Sequence, residues 1–198
     1  MAAPHAQPDL FGSPPREMAA DLPEGFRYRA ELISAAEEQA LLAWFETLDL
    51  KPFEFQGYLG HREVTNFGWR YDYSERALRG ADALPPQLEG LRHAAGTFAG
   101  VEPGALRQAL VTRYGPGVTI GWHRDRPDFE VVVGVSLKSR AVFRLRRRDV
   151  ARWERRSLTV EPRSAEVMQG AARDEWEHSI RPVEAERYSV TFRTLRER

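Results

Sequence analysis

From residue 105 to the end of the chain, the sequence is divided into short segments rich in β-branched and aromatic residues, with turn residues between them. Short strands at this spacing are typical of a β-sandwich or a jelly roll. The segments are ALVTRY, VTIGWHRD, EVVVGVSL, AVFRLRRR, SLTVEP, AEVMQG and RYSVTFRTL. The sequence therefore predicts a mostly β core, with whatever helices precede it packed on that core.

Helical patterns precede these strands. Ser34 followed by Glu37 forms a capping box, and the apolar residues after it recur at helical spacing, which predicts a helix over residues 35–48. A second helix is predicted over residues 86–99, and the aromatic-rich EVTNFGWRYDYS between them indicates a strand or hairpin with a loop. We interpret residues 24–198 as one domain.

The first 23 residues are rich in Ala and Pro and have no periodicity, which predicts a flexible N-terminal tail over residues 1–23. Two large apolar residues in such a tail are typical of a docking peptide or of a chance strand. The stretch QPDLF, with Gln7, Leu10 and Phe11, resembles the short motif by which bacterial replication and repair proteins bind the sliding clamp.

The 198-residue chain has no cysteine, which excludes disulfides, thiolate zinc sites and a cysteine nucleophile. Any metal must be held by histidine and carboxylate side chains. No apolar run is long enough to span a membrane, and the N-terminus has no apolar signal segment. We expect a cytoplasmic protein without membrane contact, and a monomer.

Formal net charge is zero, but residues 138–156 hold nine basic side chains against Asp149 and Glu154. This local excess of positive charge is typical either of a solvated face on a pair of strands or of a surface that meets phosphates.

His123 and Asp125 are two residues apart in VTIGWHRD. On a strand, side chains at this spacing point to the same face, so both would reach one ion. Alone, the spacing more often reflects ordinary polar residues than a metal site.

The last predicted strand, RYSVTFRTL, alternates between two kinds of residue. One face holds Tyr188, Val190 and Phe192, and the other holds Arg187, Ser189, Thr191 and Arg193. If the polar face meets solvent, these are two ordinary arginines. If it lines a barrel, the two buried guanidinium groups need anions, and a dicarboxylate ligand would supply them.

A second histidine, His178, lies upstream of this strand. Two histidines and one carboxylate form the facial triad of non-haem Fe(II) oxygenases. That geometry leaves room for a chelating 2-oxo acid and for O₂.

The pieces YGPGVTIGWHRD, EHS and RYSVTFR, in this order, resemble the bacterial members of the AlkB family of Fe(II)/2-oxoglutarate dioxygenases. The upstream NFGWRYDY is similar to the nucleotide-recognition region of that family, and the resemblance spans roughly residues 55–195. It implies a double-stranded β-helix, Fe(II) and 2-oxoglutarate as cofactors, and alkylated DNA or RNA as the partner.

The resemblance also implies roles for particular residues. His123, Asp125 and His178 would bind iron. Arg187 and Arg193 would pair with the carboxylates of 2-oxoglutarate, with Arg187 on the distal one, and Tyr114 would donate to the same molecule. Trp69 would stack on the target base, and Tyr71 and Tyr73 would contact the nucleotide backbone, although core packing is the alternative for all three.

Two positions depart from the family pattern. An Asn usually lies two residues before the cosubstrate tyrosine, and here Thr112 takes that place as a shorter hydrogen-bonding group. An acidic residue that helps to read the base is replaced by Pro127, with Asp128 next to it. These departures leave the base and the choice of DNA or RNA open.

The implied reaction is oxidative dealkylation, in which the alkyl carbon on a base nitrogen is hydroxylated and lost as an aldehyde. Two alternatives are an oxygenase of the same chemistry acting on a protein or small molecule, and a β-barrel binding module without turnover.

Overall fold

The computed structural model of this chain describes residues 22–55, 58–72, 75, 77–150 and 152–196. The predicted clamp-binding residues Gln7, Leu10 and Phe11 lie outside the described residues, as does Tyr73, and their predictions stay predictions. No helix in the described ranges is long and apolar enough to cross a membrane.

The described residues form a mostly β structure with a few helices. The helices are α1 (Ala35–Phe45), α2 (Glu89–Ala99) and α3 (Gly170–Asp174). The strands are β1 (Phe26–Arg29), β2 (Lys51–Phe55), β3 (Tyr58–Phe67), β4 (Trp69–Asp72), β5 (Ala77–Gly80), β6 (Leu106–Tyr114), β7 (Ile120–His123), β8 (Phe129–Leu137), β9 (Ala141–Arg148), β10 (Trp153–Val160), β11 (Ala165–Met168), β12 (Glu177–Ile180) and β13 (Arg187–Leu195).

The strands are arranged in two main sheets and one small one. The major sheet has the order β1-β11-β8-β13-β6-β3-β2, the minor sheet has the order β10-β9-β12-β7, and β4 pairs with β5 alone. Neighbours in these sheets run antiparallel. The chain crosses from the major to the minor sheet between β6 and β7, through a turn in which Gly117 has a φ of 81°. The strand pattern predicted a sandwich or jelly roll, and the structure is the double-stranded β-helix that the family resemblance implied.

Two apolar layers hold the sheets in place. The outer face of the major sheet packs on α1 and α2 through residues such as Phe45, Leu91 and Phe192. The inner layer lies between the two sheets and includes Phe143 and Leu145 of β9. The predicted packing of the helices on the jelly roll is confirmed.

Helix α1 begins as predicted. The Ser34 side chain accepts from the Glu37 backbone N–H at 3.2 Å, and the Glu37 carboxylate accepts from the Ser34 backbone N–H at 2.8 Å, which completes the capping box. The helix ends at Phe45, three residues before the predicted end. Helix α2 begins at Glu89 rather than at residue 86, because a 3₁₀ turn over Pro86–Leu88 precedes it.

Strand β13 is the central strand on which the site depends, because it lies between β8 and β6 in the major sheet. Its apolar side chains Tyr188, Val190 and Phe192 belong to the helix-side core. Its two arginines face the inside of the barrel, where Arg187 is 2% exposed and Arg193 is 8% exposed. The alternative of a solvent-facing strand with two ordinary arginines is therefore excluded.

Candidate metal and cosubstrate site

His123 and His178 lie side by side on neighbouring strands of the minor sheet. They are opposite each other in the pairing of β7 with β12, and their ring centroids are 4.2 Å apart. The His123 Nδ1–H donates to the Gly121 carbonyl at 2.9 Å, so Nε2 of the neutral ring keeps its lone pair. Burial, together with the neighbouring His123, lowers the pKa of His178 to about 3, which keeps that ring neutral and suited to bind a metal.

Asp125 reaches this pair from a loop and not from a strand. Strand β7 ends at His123, so the strand alternation used to place Asp125 on the same face is not the reason for its position. Instead, the loop after β7 is fastened by Arg173 of α3, whose Nη2 donates to the carbonyls of Arg126 and Phe129. Side chains on helix α3 thus hold the segment that carries the carboxylate.

The Asp125 carboxylate is buried and ionised. Burial alone would raise its pKa, but the positive charge of Arg193 and the nearby His178 and His123 hold the pKa of Asp125 well below its usual range. Oδ1 accepts from Arg193 Nη2 at 2.9 Å, whereas Oδ2 is buried without a hydrogen-bond partner among the described residues. One oxygen is therefore held in place and the other remains for a further positive partner.

The donor set fits Fe(II), because it offers two imidazoles and one carboxylate with an unpartnered oxygen. In the described part of the chain, no three histidine or acidic side chains converge as a finished metal cage. The two histidines are in contact, while Asp125 is bonded to Arg193. The chemistry of the three side chains thus suits the metal, with Asp125 held by a protein partner.

Arg187 has the opposite character to Asp125, since it is a buried cation with free donors. Its Nη2 donates to Ser136 Oγ at 2.7 Å, while Nε and Nη1 have no partner among the described residues. The guanidinium carbon lies 4.9 Å from the centre of the Tyr114 ring, and the Tyr114 hydroxyl lies 3.2 Å from Ser189 Oγ. Two unfilled N–H groups beside hydroxyl groups form a suitable place for a carboxylate.

The other two residues predicted for the cosubstrate are Thr112 on β6 and Arg193 at the far end of β13. Thr112 is buried and lies opposite Ser189 in the pairing of β6 with β13. Arg193, predicted to bind a cosubstrate carboxylate, has two protein partners: besides Asp125, its Nη1 donates to Gln108 Oε1 at 3.0 Å. Its Nε has no partner among the described residues. The two arginines of β13 therefore have different partners, because Arg193 bonds to a carboxylate and an amide whereas Arg187 bonds only to a hydroxyl group among the described residues.

The aromatic residues of β4 lie beside the loop that carries Asp125. The Tyr71 hydroxyl accepts from Arg126 Nη2, and the Arg126 guanidinium lies 4.0 Å from the Tyr71 ring centre. Trp69 is two residues earlier on the same strand, on the same face, and half-buried with Arg107 over its ring at 5.7 Å. Asp128 is half-buried, and its Oδ2 lies 3.9 Å from Arg126 Nε.

The basic run lies mainly on the hairpin formed by β9 and β10. Five of its nine cations pair with carboxylates, and these are Lys138, Arg140, Arg146, Arg147 and Arg156. Arg148, Arg152 and Arg155 are exposed, and none of them has an ion pair within the described residues. Arg144 and Arg146 stack on the Trp122 ring, and Arg146 also stacks on the exposed Trp153.

Several residues of the site were missed by sequence reasoning. Ser136 and Gln108 supply the partners of the two arginines, and Arg173 supports the metal-site loop. A signal existed for Ser136, because strand alternation in EVVVGVSL sets it on one face with Gly134. Arg173 had none, since its role depends on how α3 packs.

Comparison with known proteins agrees with this fold. The model of the 2OG-Fe(II) oxygenase superfamily matches residues 28–194. No curated protein matches the sequence of this chain. Similar solved structures include OsALKBH1, with a TM-score of 0.62 and 16% identity over 87% of this chain and 98% of that one. A prolyl-4-hydroxylase from Pseudomonas putida has a TM-score of 0.59 and 18% identity over 87% of this chain and 93% of that one.

A third similar structure is an oxidoreductase of the 2OG-Fe(II) oxygenase family from Burkholderia pseudomallei, with a TM-score of 0.58 and 18% identity, covering 87% of this chain and 86% of that chain. At these identities the structures support the fold, while the family model spans most of the sequence. This chain belongs to the 2OG-Fe(II) oxygenase superfamily, whose oxidoreductases use Fe(II) and 2-oxoglutarate.

Proposed function

We propose that this oxygenase removes alkyl groups from base nitrogens of DNA or RNA, in lesions of the 1-methyladenine and 3-methylcytosine type. The observation that carries the nucleic-acid substrate is the contact of Tyr71 on β4 with Arg126, the residue next to Asp125. Trp69 shares that face of β4, so two aromatic rings lie on the face that meets the metal-site loop. Aromatic rings in this position suit a flipped base, whose positive charge after alkylation strengthens its attraction to an indole.

The hairpin of β9 and β10 supports the same choice of substrate. Its exposed cations Arg148, Arg152 and Arg155 lie near Trp153, which is 37% exposed. Guanidinium groups interleaved with an exposed indole match the phosphates and the bases of a single strand. Trp122 on the same surface is the residue before His123, so this surface begins beside the proposed metal site.

In the proposed site, His123, Asp125 and His178 hold the metal. Fe(II) with 2-oxoglutarate, when bound, supplies the activated oxygen that hydroxylates the alkyl carbon. The protein contributes fixed positions: Arg193 orients the Asp125 carboxylate, and Arg187 with Tyr114 receives the distal carboxylate of the cosubstrate. The hydroxylated alkyl group is then lost as an aldehyde, which restores the base.

Two alternatives were open from the sequence. A binding module without turnover is not supported, because the chain belongs to a superfamily of oxidoreductases. An oxygenase that acts on a protein or small molecule would use the same metal chemistry. It would differ in the substrate group that contacts Trp69 and Tyr71. A substrate assay therefore separates it from the proposed function.

In the test, the full chain is incubated with Fe(II), 2-oxoglutarate and O₂. Two polymers are offered as substrates, namely methylated single-stranded DNA and methylated tRNA. Succinate, formaldehyde and the restored base are measured together. We expect equal amounts of formaldehyde and restored base on one or both polymers, and loss of both products in His123→Ala.

His93→Ala is the matched control, because His93 is exposed on α2 and should leave turnover unchanged. If the wild type forms succinate without restoring any base on either polymer, the nucleic-acid proposal is overturned and the oxygenase activity stands.

A further inference from the structure

Glu166 is a buried carboxyl group inside the barrel that the proposed reaction does not use. It lies on β11, opposite Gly134 of β8, and is 7% exposed. Its Oε2 atom has no hydrogen-bond partner among the described residues. An ionised carboxylate in such a position is costly unless an opposite charge or a proton compensates it.

Gly134 makes room for this carboxyl group. A Cβ atom at position 134 would lie 2.1 Å from Glu166 Oε1, so the carboxyl lies directly over the glycine. On the other side of β8 lies β13, from which Arg187 reaches Ser136, two residues along β8 from Gly134. Glu166 and Arg187 therefore approach the same part of β8 from its two neighbouring strands.

The two groups interact without forming a contact pair. No ion pair of the described residues joins them at 4.0 Å or less, yet the Arg187 charge acts on the Glu166 carboxyl. Both keep unfilled polar atoms, namely Oε2 of Glu166 and the Nε and Nη1 atoms of Arg187. Burial raises the pKa of Glu166 to about 7 against the opposing effect of Arg187, so this carboxyl exchanges its proton near neutral pH.

The surroundings of Glu166 supply few other charges. From β1 the cross-strand neighbour is Tyr28, whose hydroxyl accepts from the Glu161 backbone N–H. From β8 the neighbour is Gly134, and from β9 the minor sheet contributes the apolar Phe143 and Leu145 to the interior. Among the described residues, Arg187 of β13 is the charged group that acts on this carboxyl.

We propose that Glu166 is the internal counter-ion of Arg187 in the free enzyme, and that it takes up one proton from solvent when the distal carboxylate of 2-oxoglutarate takes its place. The proposal rests on the assignment of Arg187 to the cosubstrate in the proposed function. Two carboxylates that share one buried guanidinium repel each other, so the internal one is neutralised. Cosubstrate binding then weakens as the pH rises, by up to about tenfold per pH unit above neutrality.

The experiment is calorimetric titration of 2-oxoglutarate into the full chain loaded with Fe(II), without O₂ and without nucleic acid. It is done at about pH 8 in two buffers of different ionisation enthalpy, which gives the number of protons taken up. Since both carboxyl groups of 2-oxoglutarate are already ionised at this pH, protons taken up are bound by the protein. We expect uptake approaching one proton per cosubstrate in the wild type.

Glu166→Gln keeps the shape of the side chain and removes the titration. We expect this variant to lose most of the proton uptake and to bind 2-oxoglutarate about tenfold more tightly than the wild type at pH 8, because every molecule is then in the binding-competent state. Glu38→Gln is the matched control. Glu38 is 8% exposed, but it bonds to the Lys138 backbone N–H, so its variant should keep the uptake.

The outcomes separate this proposal from the one on which it rests. Suppose that 2-oxoglutarate binds through Arg187 but the wild type takes up no proton, or that Glu166→Gln takes up as many protons as the wild type. In either case the counter-ion role of Glu166 is overturned and the cosubstrate assignment of Arg187 stands. If 2-oxoglutarate binding is unchanged in Arg187→Met, the cosubstrate assignment fails and the counter-ion role fails with it. The absence of proton uptake by the wild type overturns the counter-ion role without any variant, whereas uptake is assigned to Glu166 by its loss in Glu166→Gln.

Discussion

An arginine lies at each end of the inner face of β13. Both side chains are buried, but they have different hydrogen-bond partners. Arg193 is bonded to Asp125 and Gln108. Arg187, six residues earlier and so about 20 Å away along the strand, is bonded to the neutral Ser136 and keeps two unpartnered N–H groups. One end is closed by the protein's own anion, and the other is open to an anion from outside.

This difference teaches how a chain can combine stability with cosubstrate binding on one strand. A buried charge without a counter-charge is costly, so the fold can leave only a few of them unfilled. At the Arg193 end the counter-charge is the Asp125 carboxylate, whose second oxygen has no hydrogen-bond partner among the described residues and would be available to the proposed metal. At the Arg187 end the internal counter-charge that we propose, Glu166, forms no direct ion pair with the guanidinium, so a bound carboxylate stabilises the protein that accepts it.

The largest expected effect on stability comes from removing Arg193, the partner of Asp125. Arg193→Met leaves Asp125 buried and unpaired, and we expect it to lower the free energy of unfolding of the metal-free protein by about 3–5 kcal/mol. Urea unfolding at neutral pH in the presence of a chelator measures this loss. Added Fe(II) should restore part of it, because the metal supplies the positive charge that Asp125 lacks.

Arg113→Met provides the matched control for that loss. Arg113 donates to Glu63 at 2.6 Å on the same sheet, but the two side chains are 41% and 33% exposed. An exposed pair of this kind contributes no more than about 1 kcal/mol. An equal loss in the two variants would show that the Arg193 pair does not act as a buried one.

The next largest effect is expected from removing Arg187, and it concerns the stabilisation of the protein by 2-oxoglutarate. Arg187→Met removes a buried cation with two unfilled donors, and the Glu166 carboxyl left behind can become neutral by taking up a proton, so we expect the free energy of unfolding without cosubstrate to change little at neutral pH. With 2-oxoglutarate at a concentration of about 100 times its Kd, the wild type should gain about 2.7 kcal/mol, and the variant should gain almost nothing at that concentration. Unfolding of the Fe(II)-loaded protein without O₂, with and without 2-oxoglutarate, measures both quantities. A variant that keeps the full gain would contradict the open-end assignment.

Part of this arrangement could be predicted from residues alone, because alternation in RYSVTFRTL assigns Arg187 and Arg193 to one face. The pattern left open whether that face meets solvent or lines the barrel, and the burial of both arginines decides it. The capping box of α1 and the strand character of residues 105–195 were likewise readable, since both depend on local pattern. His123 and His178, which are far apart in sequence, were grouped by the resemblance to the AlkB family and not by local pattern.

The partners of the two arginines could not be predicted in the same way. Asp125 reaches Arg193 through a loop held by Arg173, and loop paths depend on tertiary packing rather than on periodicity. Glu166 stands in AEVM, where an alternating pattern is missing because the strand is buried on both faces. Its place opposite a glycine follows only from the register of β11 with β8.

The smallest effect concerns the stretch between the two ends. Ser189 is buried between the arginines on β13, and its Oγ lies 3.2 Å from the Tyr114 hydroxyl. Ser189→Ala removes one neutral hydrogen bond, so we expect a loss of about 1 kcal/mol in the free energy of unfolding. Thr191→Val, on the same face two residues nearer to Arg193, is the control for a change of polarity without loss of that bond.

The same variant tests whether the Arg193 end acts independently of the middle of β13. Ser189 and Arg193 are four residues apart, about 13 Å along the strand, and share no hydrogen-bond partner in the described residues. Changes at such a distance usually add to within about 0.5 kcal/mol. We therefore expect the double variant Ser189→Ala with Arg193→Met to lose the sum of the two single losses. A clear departure from that sum would mean that the Arg193 pair with Asp125 is energetically coupled to the Ser189 region through β13.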